Sequence, residues 1–168
     1  MASHLVAILH SRPVSSGAAT LRRVDIARRA LHCDAAVVAN LVAARLTDVN
    51  ALNTSTEFEA WARGRDDIQR ALDESGTTDV LLGYGVQQPS GDQRIMFRNQ
   101  IEWLAAQLED RRLRVWAFGG RPTHPSRWQR VVYRHMPGGS VEDLASILLL
   151  PCSLRADGVN DLAVGLST

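Results

Sequence analysis

The chain reads Trp116-Ala117-Phe118-Gly119-Gly120-Arg121-Pro122-Thr123-His124-Pro125-Ser126-Arg127-Trp128 where an apolar run opens into a polar loop. The apolar residues predict the end of a buried strand. The two glycines remove side-chain bulk, and the two prolines stiffen the loop that presents His124. Binding residues of α/β proteins commonly lie on loops that a rigid strand positions. We therefore expect a site here.

Three other segments upstream have the same buried-strand pattern, and amphipathic helical patterns separate them. The predicted strands are residues 5–9, 35–39, 78–83 and 113–118. The predicted helices are residues 20–31 with Thr20 as N-cap, a piece that Thr54 or Ser55 caps, 66–74, 94–110 and 140–149. The last has Ser140 as its cap and Glu142 and Asp143 in its first turn. Leu21, Trp61 and Ile95 are expected to face the core. Residues 127–135 fit either a helix or a strand. This alternation predicts an α/β fold, a three-layer α/β/α sandwich with a central, mainly parallel four-stranded sheet.

Length and composition set the broad class of the protein. The 168 residues fit one domain, with residues 1–136 as its core and residues 137–168 as a C-terminal helix and tail. No apolar run has the length of a membrane span, and the N-terminus lacks the features of a signal peptide. We therefore expect a cytoplasmic protein with no membrane partner. The formal net charge of +1 argues against binding to duplex nucleic acid.

The basic residues exclude some chemistries. All 19 are arginine, so neither a Schiff-base lysine nor a phosphate-loop lysine is available. The first strand is not followed by a dinucleotide fingerprint, and we predict no cofactor. Cys33 and Cys152 are far apart beside apolar segments, which favours buried free thiols. The pair His32-Cys33 has no second pair at ligand spacing, so we predict no metal site.

Polar residues follow the predicted strands, and parallel strands present these ends at one rim of the sheet. We consider His124 a catalytic acid, base or charge-stabilising donor, although a structural bond to the backbone is the alternative. Asp48 either activates water or caps a turn. The substrate-binding candidates are Ser11, Arg12, Ser15, Ser16, Arg22, Asn40, Tyr84, Ser126 and Arg127. For Arg22 the alternative is a solvated helix face, and for Asn40 it is a strand-end cap. Trp128 either stacks on a base or belongs to the core.

Several short motifs occur in a recognisable order. They are Pro13-Val14-Ser15-Ser16, Thr20-Leu21-Arg22-Arg23, Val37-Val38-Ala39-Asn40-Leu41, Ala44-Arg45-Leu46-Thr47-Asp48, Gly83-Tyr84-Gly85 and Pro122-Thr123-His124-Pro125. Over about residues 4–128 the chain resembles a bacterial and phage domain-of-unknown-function family. Members of that family typically read Asn-Pro-Ser-Thr-Ala, Asp-Pro-Thr-x-Arg-Arg, Val-Asn-Leu-Phe-Ala-x-Arg-Ala-Thr-Asp and Pro-x-His-Pro.

That family is similar in layout to the uracil-DNA glycosylase superfamily, in which a His-Pro-Ser loop follows the last strand. The resemblance implies that His124 stabilises a departing nucleobase, that Asn40 contacts the base edge and that the first loop holds sugar or phosphate. Arg12 stands where the family has Asn before Pro, and Ala18-Ala19 precedes Thr20 in place of Asp-Pro. The first loop therefore lacks a carboxylate, which leaves Asp48 as the candidate for activating water.

These observations together predict a hydrolase that cleaves an N-glycosidic bond in a small nucleoside or nucleotide. One alternative is a non-catalytic module that binds a nucleotide or a modified base. Another is a biosynthetic transferase that uses the same pocket. The apolar run at residues 145–150 either completes the core or covers a neighbouring subunit, so a homo-oligomer is also considered.

Overall fold

Strands and helices alternate along the chain in the computed structural model, which describes residues 2–13, 15–45 and 57–154. The strands are β1 (His4–Arg12), β2 (Ala35–Arg45), β3 (Thr77–Leu82), β4 (Arg114–Phe118) and β5 (Leu149–Pro151). The helices are α1 (Ala18–Ala30), α2 (Glu57–Asp73), α3 (Asp92–Arg111), α4 (Trp128–His135) and α5 (Val141–Leu148), with a short 3₁₀ turn at Pro125–Arg127. The predicted α/β class is confirmed.

The strands form one sheet in the order β2-β1-β3-β4-β5. β1 pairs in parallel with both β2 and β3, and β3 pairs in parallel with β4. β5 runs antiparallel to β4, with Ala117 opposite Leu150. The described sheet thus has five strands, and the predicted count of four was wrong. The reason is that β5 has only three residues and ends at Pro151, which is too short to show a strand period.

Both faces of the sheet are covered because the side chains of a strand alternate between them. Val6 and Ile8 pack in one apolar cluster with residues of α2 and α3. Leu5 and Ala7 pack in a second cluster with residues of α1, α4 and α5. All four side chains are fully buried. Burial of an aliphatic side chain as large as Ile8 contributes about 1.5–3 kcal/mol, so β1 anchors the core on both sides.

Several element boundaries differ from the sequence prediction. β1 continues to Arg12, so Ser11 lies in the strand and not in a loop. Thr20 lies inside α1, whose N-cap is Gly17 at φ 66°. The two predicted helical pieces after β2 form the single helix α2. The proposed caps at Thr54 and Ser55 lie outside the described residues.

Two side chains expected in the core are exposed. They are Leu21 on α1 and Ile95 on α3, which expose 51% and 60% of their surface. Each lies in the first turn of its helix. Trp61 follows the prediction and is buried on α2.

The C-terminal part of the described chain completes the core. Ser140 caps α5 as predicted, since its hydroxyl accepts a hydrogen bond from the Asp143 amide and the Asp143 carboxylate accepts one from the Ser140 amide. Ala145, Leu148 and Leu149 are buried against the second cluster. Three of the six residues in the apolar run at residues 145–150 therefore pack within this chain, whereas Ile147 is 65% exposed. Within the three described segments, no helix combines the length and the apolar character required to cross a bilayer.

Candidate functional site

A cleft of about 770 Å³ opens at the carboxyl ends of the parallel strands. Its walls come from the end of β1, the loop after β3, and the segment from the β4 loop into α4. β1 and β3 are neighbours, while β2 lies on the far side of β1. The chain therefore reverses its winding direction beside β1. Open α/β sheets bind ligands at such a switch point, and the volume is typical of a small-molecule site.

The loops around the cleft are bonded to one another. The Gly85 amide donates to the Pro122 carbonyl at 2.6 Å, which joins the loops after β3 and β4. The Arg23 guanidinium donates to the Pro125 carbonyl at 2.8 Å. A Cβ at Gly83 would lie 3.0 Å from Leu9 Cδ2 and 3.3 Å from Pro125 Cδ, so glycine permits the close approach of these segments.

His124 is held in one orientation by its own loop. Its Nδ1 accepts a hydrogen bond from the Ser126 amide at 3.2 Å and lies 2.9 Å from Ser126 Oγ. An atom that accepts from a backbone N–H carries no proton, so the neutral ring bears its proton on Nε2. Partial burial, together with the positive charges of Arg127 and Arg23, lowers the pKa of His124 below 6.5. At neutral pH the ring is a neutral Nε2–H donor beside the cleft.

Six of the predicted site residues line this cleft. They are Ser11, Arg12, Tyr84, His124, Ser126 and Arg127. Ser15, Ser16 and Arg22 are exposed and do not line it. The exposure of Arg22 agrees with the alternative of a solvated helix face. Its neighbour Arg23 instead holds the His124 loop through the Pro125 carbonyl. Asp48 lies outside the described residues.

Asn40 was expected at a strand end, and this placement was wrong. β2 continues five residues further, to Arg45, so Asn40 lies within the strand opposite Leu9. It does not line the cleft, because β2 is separated from the switch point by β1. Its Oδ1 is buried and has no hydrogen-bond partner among the described residues. Neither a base contact at the cleft nor a strand-end cap fits this position.

Trp128 belongs to the core, and stacking on a ligand base is excluded by its burial. Its side chain is fully buried. The ring stacks on Phe118 with centroids 4.2 Å apart and planes 6° from parallel. The indole Nε1 donates to the Thr123 carbonyl at 2.9 Å. Trp128 therefore fixes the residue before His124 and does not reach the cleft.

Three arginines at the cleft were missed. They are Arg121, Arg130 and Arg134. Arg130 and Arg134 are four residues apart on α4 and follow Arg127, which places them on one side of the helix. This spacing was visible in the sequence. It could not place these arginines on one face, because the sequence of residues 127–135 fits a helix and a strand equally well. None of the described cleft-lining residues is an aspartate or a glutamate.

Aromatic side chains form the opposite part of the cleft. His10 stacks on Phe97 and meets the edge of Trp61. Tyr84 packs edge-on against Phe97 and is 7% exposed. Burial raises the pKa of Tyr84 above its usual value of 10, so the phenol stays neutral. These residues belong with the α2 and α3 side of the sheet, whereas α4 packs on the other side.

No family model, curated protein or solved structure matches the sequence. The geometry of the cleft is therefore the basis for assigning a function. The described segments contain no group of three or more His, Cys, Asp or Glu side chains arranged to hold a metal ion. Cys33 is buried, Cys152 is half-buried, and both are free thiols.

Proposed function

We propose that this protein binds a small nucleotide in the cleft and hydrolyses the bond between its base and its sugar. The observation that carries the proposal is the fixed, neutral His124, which bears its proton on Nε2 and lines a cleft rich in arginine. Cleavage of an N-glycosidic bond leaves negative charge on the departing base. A donor held in place before the reaction stabilises that charge without reorganisation.

The surroundings of His124 define how the reaction would proceed. The described cleft offers no carboxylate to activate water. The rate would then depend mainly on stabilisation of the leaving base, with water adding to an oxocarbenium-like sugar. Asp48 is the residue that we propose for positioning this water. Tyr84 and His10 would pack against the base.

The layout of the uracil-DNA glycosylase superfamily is part of this proposal. Helices pack on both faces of the sheet, and His124-Pro125-Ser126 follows β4. The resemblance implies that Asn40 contacts the base, but Asn40 does not line the cleft. Selection of a base would therefore depend on other residues, of which Gln87 lines the cleft with an amide side chain.

Incubation with a panel of nucleosides and nucleotides, followed by chromatography for free base, tests the reaction. We expect His124→Ala to lower the rate of base release about 10²–10³-fold, as for the loss of a preorganised donor. His135→Ala is the matched control because His135 is exposed at the end of α4 and does not line the cleft. Thermal unfolding of both variants verifies the fold. Equal rates in His124→Ala and the unsubstituted protein would contradict the proposal.

The second candidate is a non-catalytic module that binds a nucleotide or a modified base. The lack of a carboxylate among the described cleft residues favours it. Such a module would bind members of the same panel and release no base. His124→Ala would then weaken binding, because the Nε2–H donor would still contact the ligand.

A further inference from the structure

Four arginines of the cleft have no partner among the described residues. The guanidinium groups of Arg121, Arg127, Arg130 and Arg134 make no ion pair or hydrogen bond within the described parts of the chain. Many arginines elsewhere are paired, as the bonds Arg29 to Asp25, Arg111 to Asp73 and Arg114 to Asp79 illustrate. Four of the unpaired arginines thus lie together at the cleft, while others, such as Arg22, Arg94 and Arg98, lie at exposed positions elsewhere in the described segments. Like charges held close together repel, and a bound anion relieves the repulsion.

Three of these arginines form a row along α4, and the length of the row bears on the size of the anion. Arg130 and Arg134 are four residues apart on α4, and Arg127 immediately precedes the helix. The seven helical steps from Arg127 to Arg134 extend over about 10 Å along the helix axis. The row is longer than one phosphate group, so a monophosphate meets all three guanidinium groups only if their side chains converge on it. A row of linked phosphates fits this length, since each guanidinium offers a planar pair of donors to phosphate oxygens.

The cleft also has two chemically distinct sides. Tyr84 and His10 pack with the cluster that α2 and α3 cover. α4 packs on the other face of the sheet and brings Arg130 and Arg134 to the cleft. A ligand with an aromatic base at one end and phosphates at the other matches this division.

We infer that the cleft binds the polyphosphate chain of a nucleoside di- or triphosphate along Arg127, Arg130 and Arg134, with Arg121 as a further contact. This inference rests on the proposed function and specifies its substrate class. A small nucleotide is favoured over a nucleic-acid strand because the molecule as a whole carries a net charge of only +1. Strand-binding proteins need a positively charged groove that follows the backbone.

Titration calorimetry with a nucleoside and its mono-, di- and triphosphate tests the inference, with tripolyphosphate alone as a further probe. We expect the affinity to rise about tenfold with each added phosphate, as for one charge-assisted contact. The double variant Arg130→Gln/Arg134→Gln should bind the triphosphate about 100-fold more weakly. Its affinity for the nucleoside should stay within about twofold.

Arg94→Gln/Arg98→Gln is the matched control, because it removes the same charge from exposed positions on α3 that do not line the cleft. It should leave both affinities unchanged, and thermal unfolding verifies that both double variants fold. Equal affinity for nucleoside and triphosphate would overturn the inference. So would an equal loss in the control, or preferential binding of a single-stranded oligonucleotide carrying the same number of phosphates.

The binding and base-release experiments test the polyphosphate inference and the proposed hydrolysis separately. Binding of the triphosphate and of tripolyphosphate without release of free base would support the inference and contradict the proposed hydrolysis. Release of base from nucleosides with no preference for phosphates would support the hydrolysis and overturn the inference.

Discussion

His124 owes its chemical state to its neighbours. The Ser126 amide fixes the proton on Nε2, and partial burial, followed by the charges of Arg127 and Arg23, disfavours a second proton. A histidine in this state donates a hydrogen bond at neutral pH and carries no charge. It therefore suits the stabilisation of a developing anion better than general acid catalysis.

Nuclear magnetic resonance of labelled histidine tests this state. We expect the Nε2–H tautomer at pH 7 and a midpoint for His124 below 6.5, because burial and then Arg127 lower its pKa. Arg127→Gln should raise the midpoint, whereas Arg98→Gln should not move it. A midpoint above 6.5, or an Nδ1–H tautomer, would contradict the assignment.

The same titration affects stability with a definite sign. Below pH 6.5 an unfolded histidine takes up a proton before His124 does in the folded protein. The free energy of unfolding therefore falls with decreasing pH between 6.5 and the lower folded pKa. Above this range the contribution of His124 vanishes.

At the scale of elements, short-range signals were the most informative. Ser140 followed by Glu142 and Asp143 predicted the start of α5, and the reciprocal hydrogen bonds are present. We expect Ser140→Ala to lower the free energy of unfolding by about 1 kcal/mol, as for the loss of an N-cap. Urea denaturation measures this change. Ser75→Ala is the control because Ser75 is exposed and makes no side-chain hydrogen bond among the described residues, and an equal loss there would refute the cap.

Element boundaries were harder to predict than element types. The apolar centres of β1, β3 and β4 identified these strands, because burial on both faces leaves a continuous apolar run. The polar ends of the strands carry no such signal. Asn40 illustrates the consequence, since β2 extends past it and removes it from the cleft. The sequence pattern could not predict β5 or the buried position of Trp128. Both result from contacts between residues distant in sequence, which hydrophobic periodicity does not reveal.

At the scale of the molecule, the candidate site and a buried stabilising carboxylate lie at opposite ends of the sheet. The cleft and the arginines that line it lie beyond the carboxyl ends of the strands. Asp79 lies near the start of β3, at the other end, and is fully buried. The sequence could place His124 at a strand end, because its motif is local. It could not gather Arg121, Arg130 and Arg134 into one cleft, since exposed arginines carry no periodic signal.

Asp79 links parts of the fold that are distant in sequence. Its carboxylate accepts hydrogen bonds at 2.7 Å from the Thr78 hydroxyl, the Trp116 indole and the Arg114 guanidinium. Burial disfavours its charge, but these bonds outweigh burial and lower the pKa of Asp79 below 3.8. Its contribution to stability is therefore present above pH 3.8 and is lost as the pH falls through the lower folded pKa.

Replacement of this carboxylate should destabilise the whole molecule and leave the cleft intact. We expect Asp79→Ala to cost about 3 kcal/mol, because the Trp116 and Thr78 donors lose a charged partner. Arg114 adds little to this cost, since 62% of its side chain is exposed. The melting temperature should fall by roughly 6–12 °C, while ligand affinity at a temperature below the transition stays unchanged.

Asp73→Ala removes the more exposed pair with Arg111 and should cost less than about 1 kcal/mol. Similar losses in the two variants would show that Asp79 does not hold the strands together, and a change in ligand affinity would show that the two ends of the sheet are coupled.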